Sequence, residues 1–145
     1  MPPVRTAKAT WTGSLKDGKG HMRAESGKVD ATFSFNTRMG DEAGTNPEEL
    51  LAAAHAGCFS MAFSAGLGAA GFSPRTIHTV AKVKFEQKDG GWGIQQIALT
   101  TEADVPGLDD AKFQELAKGA KEGCPVSKAL AAVPITLEAK LLASA

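Results

Sequence analysis

Asn46-Pro47-Glu48-Glu49-Leu50-Leu51-Ala52-Ala53-Ala54-His55-Ala56-Gly57-Cys58-Phe59-Ser60-Met61-Ala62 is the best-marked stretch of this 145-residue chain. Its opening predicts a helix start. Asn46 is a capping side chain, Pro47 suits the first helical position, and Glu49 stands where a capping-box carboxylate reaches back. The helix is expected to run to near Gly71, with Pro74 beyond it. From Leu50 to Pro74 no residue carries a fixed charge, and only His55 could. Length alone would permit a membrane span. The abundance of alanine and glycine, the acidic cap and the lack of an aromatic belt argue instead for a central helix buried on nearly all sides. A second subunit covering one side would make that burial easier.

Outward from this helix the chain alternates. Ala7–Thr12, Lys19–Glu25 and Val29–Phe35 read as short strands, closed or separated by Gly13 and Gly27. Their short connections predict an antiparallel meander. Asn36–Thr45 reads as a polar loop. On the other side, Thr79–Gln87 alternates with Ala81, Val83 and Phe85 on one parity. Asp89-Gly90-Gly91 predicts a hairpin turn, and Trp92–Val105 the return strand. Asp109 or Asp110 caps a helix ending at Gly123, Cys124-Pro125 opens a short helix to about Ala132, and Pro134–Leu142 is a last strand. This order predicts an α+β fold. No repeat or linker interrupts it, so residues 1–145 are expected to be a single domain.

Bulk properties narrow the function. Lys plus Arg and Asp plus Glu each total 16. That balance argues against nucleic acid or an anionic membrane as the partner. Met1–Thr10 is polar with no apolar core of a signal peptide, so a cytoplasmic protein is expected. The two cysteines, Cys58 and Cys124, are too far apart for a CxxC pair. With His55 they match no usual zinc spacing. Cys58, three turns into an apolar helix, is inert unless a cation reaches it. Cys124 sits at the N-cap of a short helix, where the thiolate is favoured, and on local grounds is the more reactive sulfur. His55 shares a helix face with Cys58, which allows a Cys/His dyad. Glu48 and Glu49 suit the helix dipole, and Arg38 lies in the glycine-rich loop before them.

Taken together, Phe35-Asn36-Thr37-Arg38, Gly44-Thr45-Asn46-Pro47-Glu48-Glu49-Leu50 and Ala54-His55-Ala56-Gly57-Cys58-Phe59-Ser60-Met61 resemble the OsmC branch of the OsmC/Ohr family. Gly123-Cys124-Pro125-Val126-Ser127 resembles that family's second cysteine motif. The resemblance runs from Trp11 to the last strand. Ser60-Met61 and the position of Arg38 favour the OsmC branch over the Ohr branch. It implies an OsmC-like antiparallel sheet with a long central buried helix in an intertwined homodimer. It also implies a hydroperoxidase in which Cys58 attacks the peroxide and Cys124 resolves the sulfenic acid. Arg38 then stabilises the thiolate, and Glu48 holds Arg38. The implied partners are a hydroperoxide, organic peroxides above hydrogen peroxide, and a dithiol reductant of lipoyl type, with no metal or other cofactor. Phe59 and Phe63 are expected among the apolar walls.

One constraint comes from geometry. Glu48 and Cys58 lie roughly 15 Å apart along one helix and about 80° off a common face. Either Arg38 spans that gap or Glu48 serves the Cys58 of another subunit. The rival readings are a non-catalytic redox sensor or binding protein and a Cys/His hydrolase built on His55. The second needs Cys58 but not Cys124.

Overall fold

The alternation in the N-terminal third becomes a three-stranded antiparallel meander in a computed structural model that describes residues 1–143. Its strands are β1 (Ala7–Thr12), β2 (Lys19–Ala24) and β3 (Asp30–Phe33), with β2 in the centre. Gly20 is required there. A Cβ at this position would come within 2.4 Å of the Phe33 ring and 2.8 Å of the Trp11 ring. Those two rings close over the glycine with centroids 5.5 Å apart.

The loop expected from Asn36 holds a five-residue helix instead, α1 (Phe35–Met39). Its start is a capping box. The Ser34 hydroxyl accepts from the Thr37 N–H at 3.1 Å, and the Ser34 N–H donates to the Thr37 hydroxyl at 2.8 Å. The polar, glycine-containing composition hides this helix, and only the Ser-x-x-Thr spacing marks it. These elements belong to a first compact unit, Met1–Leu50.

The central helix α2 spans Pro47–Ala69. As expected, Asn46 caps it, its side-chain oxygen accepting from the Glu49 N–H at 2.8 Å. The helix is long and apolar enough to cross a bilayer. In a single chain, however, it is not buried all round. Glu48, His55, Phe59, Phe63 and Leu67 form its buried stripe, whereas Ala54, Gly57, Met61, Ala65 and Gly68 are exposed, Met61 by 77%. The four-residue steps from His55 to Leu67 place those side chains on one face.

The second unit begins at Leu51. Its sheet contains β4 (Thr76–Lys88), β5 (Gly91–Asp104) and β6 (Ile135–Leu141), in that order. The β4–β5 hairpin turns at Asp89 and Gly90, both at positive φ, 52° and 83°. Strand β6 departs from the expected antiparallel pattern: it pairs parallel to β5. The cause is the connection, which passes through α3 (Asp110–Gly123) and α4 (Pro125–Ala129) before returning along β5. Asp109 caps α3, accepting from the Lys112 N–H at 2.9 Å.

This unit's core joins three faces. Phe59, Phe63 and Leu67 come from α2, Ile97, Leu99 and Ala103 from alternate positions of β5, and Phe113, Ala117 and Ala120 from α3. Phe63 links the layers, its ring 5.7 Å from Phe59 and 5.3 Å from Phe113 between centroids. Phe59 and Phe63 are fully buried, so they are core packing rather than walls of an open site.

Candidate functional site

Two groupings of candidate residues form, one in each unit. In the first, Arg38 of α1 meets Glu48 in the first turn of α2. The Arg38 Nε donates to both carboxylate oxygens, at 3.2 and 3.1 Å, and Nη2 donates to Oε1 at 2.6 Å. Glu48 is 8% exposed. The forked contact fixes the plane of the guanidinium, which a lysine could not do. The approach is built locally. Thr37, next to Arg38, donates its hydroxyl to the Thr45 carbonyl at 2.8 Å, and the Asn46 side chain donates to the Thr37 carbonyl at 3.4 Å. The α2 cap and the α1 helix are thereby tied together, with one residue of the ion pair on each. The arginine that holds this carboxylate thus comes from the same chain.

In the second unit the two cysteines become neighbours. Cys58 is half-buried on α2, and Cys124 is fully buried at the junction of α3 and α4; both are free thiols. The two thiols lie close enough for each to shift the ionisation of the other. Burial pushes the Cys58 thiol above its ordinary value, the Val126 N–H pulls it back, and Cys124 beside it adds to the rise. For Cys124 burial also pushes upward, but it is outweighed. The Ser127 N–H, the Cys58 thiol, the Ser127 hydroxyl and the Val126 N–H together hold Cys124 below its ordinary value. The two sulfurs thus shift in opposite directions, Cys58 upward and Cys124 downward.

His55 does not hydrogen-bond to Cys58. Fully buried, it uses Nε2 to meet the Ser127 hydroxyl at 2.8 Å, leaving Nδ1 without a partner. Burial lowers its pKa and keeps the ring neutral. The dyad allowed by the three-residue spacing is replaced by a contact across the fold. Ser127 was not legible as a site residue outside the Cys-Pro-Val-Ser motif. A second unexpected feature is a chain of hydroxyls. Ser60 donates to the Ala56 carbonyl and lies 2.8 Å from the Thr79 hydroxyl, which lies 3.0 Å from that of Thr101. It anchors α2 to the sheet on the turn after Cys58. Among the described residues no group of three or more His, Cys, Asp or Glu side chains could hold a metal ion.

The chain resembles known proteins along most of its length. A family model described as OsmC-like protein matches residues 40–138. The peroxiredoxin OsmC of Escherichia coli (strain K12) is 49% identical over 138 residues, covering 94% of this chain and 96% of that protein. The organic hydroperoxide resistance protein OhrB of Bacillus subtilis (strain 168) is 33% identical over 138 residues, covering 93% and 97%. The crystal structure of that species' OhrB superposes with a TM-score of 0.68 at 29% identity, covering 94% of this chain and 98% of that one. An OsmC-like protein from Mycoplasma pneumoniae gives a TM-score of 0.76 at 15% identity, covering 99% and 100%, a likeness of fold alone.

Proposed function

The chain belongs to the OsmC-like family, and on that premise we propose that it is a thiol-dependent peroxidase. It reduces organic hydroperoxides, and hydrogen peroxide more weakly, with Cys58 attacking and Cys124 resolving. The observation that carries this reading is the meeting of the two sulfurs, far apart in sequence, near enough to shift each other's ionisation. The names of the similar proteins, a peroxiredoxin and an organic hydroperoxide resistance protein, support the same class.

The chemistry runs in three steps. The Cys58 thiolate attacks the terminal peroxide oxygen, an S–O bond forms as the O–O bond breaks, and an alcohol leaves. Cys124 then displaces hydroxide from the sulfenic acid and closes a disulfide. An external dithiol, of lipoyl type in this proposal, reduces that disulfide. Cys58 needs a cation for the first step, because burial alone disfavours its thiolate. Arg38, held flat by Glu48, is the proposed source.

We further propose that residues 1–145 act as one domain and that two copies form an intertwined homodimer. The exposed small-residue face of α2 supports the dimer, since Ala54, Gly57, Ala65 and Gly68 permit close approach of a second chain. A cytoplasmic location suits free thiols that cycle against a dithiol.

The test is peroxide consumption by purified protein given an organic hydroperoxide and a dithiol. Turnover should vanish in Cys58→Ser, and a sulfenic acid should be trappable on Cys58 in Cys124→Ser. If the wild-type protein consumes no peroxide and both thiols remain titratable, the peroxidase reading fails.

A further inference from the structure

On its inward face the second sheet carries two threonines in otherwise apolar rows. Thr79 lies between Ile77 and Ala81 on β4, and Thr101 between Leu99 and Ala103 on β5; these four neighbours lie in the core or pack against it. The two threonines are direct cross-strand partners, and Thr101 is 0% exposed. A buried hydroxyl is tolerated where it has partners, and here the partners lead to α2. The Ser60 hydroxyl lies 2.8 Å from that of Thr79, which lies 3.0 Å from that of Thr101. The ends of this ladder are backbone carbonyls. Ser60 reaches that of Ala56 at 2.8 Å, and Thr101 reaches that of His78 at 3.3 Å.

Two consequences follow from this arrangement. Each hydroxyl has a single hydrogen to donate. Three hydroxyls therefore serve the ladder as one chain, and the loss of any of them redirects the others. The ladder also ends inside α2, on the carbonyl one turn before Ser60, and the turn it closes contains Cys58.

Helix geometry links the ladder to the sulfur. Successive residues of an α-helix are turned by about 100°. Phe59 belongs to the buried stripe, so Cys58 and Ser60 stand on its two flanks, each half-buried. A roll of α2 that lifts Ser60 from the sheet drives Cys58 inward, and the reverse roll exposes it. The stripe of Phe59, Phe63 and Leu67 resists such a roll weakly, because apolar contact is non-directional. A hydrogen bond is directional. The bond from Ser60 to Thr79 fixes one flank, and the rigid helix fixes the other.

Resting on the peroxidase reading above, we propose that Ser60 is a positioning residue for Cys58: through Thr79 and Thr101 it sets the roll of α2, and so the depth at which the Cys58 sulfur meets the peroxide. Attack needs the sulfur aligned with the breaking O–O bond, so a change of depth acts on the rate directly. Ser60 takes no part in bond making and acts only through the helix it holds.

The test uses the full chain in the Cys124→Ser background. Oxidation of Cys58 by an organic hydroperoxide is timed by rapid quench with a sulfenic-acid trap, and alkylation by iodoacetamide is timed beside it. If Cys58 of this parent is not oxidised, the peroxidase reading itself fails and the role given to Ser60 falls with it. If it is, Ser60→Ala should slow oxidation at least about tenfold, since a misplacement of about 1 Å can cost about a hundredfold. Alkylation, which needs only an accessible thiolate, should not slow. Ser60→Thr, which keeps the hydroxyl, should restore most of the oxidation rate, and Ser64→Ala on the exposed side of α2 should match the parent. Thr101→Val should cause the same loss as Ser60→Ala. The double variant should be no slower than either single one, because one chain is broken once. If Thr101→Val does not fold, Thr79→Val takes its place. With the parent oxidised, an unchanged oxidation rate in Ser60→Ala overturns the proposal and leaves the peroxidase reading intact. Losses that add in the double variant, or that fall equally on alkylation, overturn it as well.

Discussion

At the scale of single residues, the two sulfurs of one site sit in opposite environments. Burial pushes both thiols upward, but at Cys124 it is outweighed by the neighbouring polar groups, so the two shift in opposite directions. In the Cys58→Ser variant the one remaining thiol should ionise below the ordinary cysteine value. Its alkylation by iodoacetamide, followed against pH, should persist to lower pH than that of a model thiol; an ordinary or higher midpoint would contradict the geometry around Cys124. In the Cys124→Ser variant the question is the cation. Replacing Arg38 by Gln there should slow oxidation of Cys58 by peroxide at least about tenfold, because a nearby opposite charge is worth about 1–3 pKa units. An unchanged rate would remove Arg38 from the mechanism. His55 makes a third prediction. Its folded pKa is depressed by burial, so the unfolded chain takes up the proton first as pH falls. Its contribution to stability is complete above the unfolded value of about 6.5. It is lost progressively as pH falls from there toward the folded pKa. Urea denaturation across this range should show the decline, and His55→Gln should flatten it.

At the scale of elements, caps and packing faces carry the argument. Asn46 closes α2 through the Glu49 N–H, and Ser34 closes α1 through Thr37. Asn46→Ala should cost about 1 kcal/mol in urea denaturation. The Asn46 side chain also donates to the Thr37 carbonyl beside Arg38, so the same substitution should slow the peroxide step more than another helix cap such as Asp109→Ala. Equal effects of the two cap variants on that rate would mean that Asn46 only holds the helix. Phe63 is the aromatic link between α2 and α3. Phe63→Ala should cost about 3–5 kcal/mol, enough to unfold a marginal domain.

At the scale of the whole molecule, the long helix is the unresolved surface of a single chain. It is apolar along its length but buries one stripe only, and the face carrying Gly57, Met61 and Gly68 is left to solvent. Light scattering should therefore give a mass of twice the 15.0 kDa chain. Met61→Glu, a charge at the middle of that face, should shift the population toward monomer. A wild-type mass of one chain would overturn the dimer.

Local chemistry made much of this legible. Strong caps at Asn46 and Asp109, the alternation of Ala81, Val83 and Phe85, and the Asp89-Gly90 turn are short-range signals, and each element they announce forms within a few residues of its expected place. The α1 helix escaped because its capping box is two small polar residues in a loop-like composition. The sequence by itself determined the elements, their order and both cysteine motifs, because propensity, capping and turn chemistry act within a few residues. Only the tertiary structure decided the parallel return of β6, the exposed face of α2, the meeting of Cys58 with Cys124 and the turning of His55 from its helical neighbour to Ser127. Those contacts join residues distant along the chain, and the packing of whole elements, which no local pattern encodes, sets which side chains come within hydrogen-bonding reach.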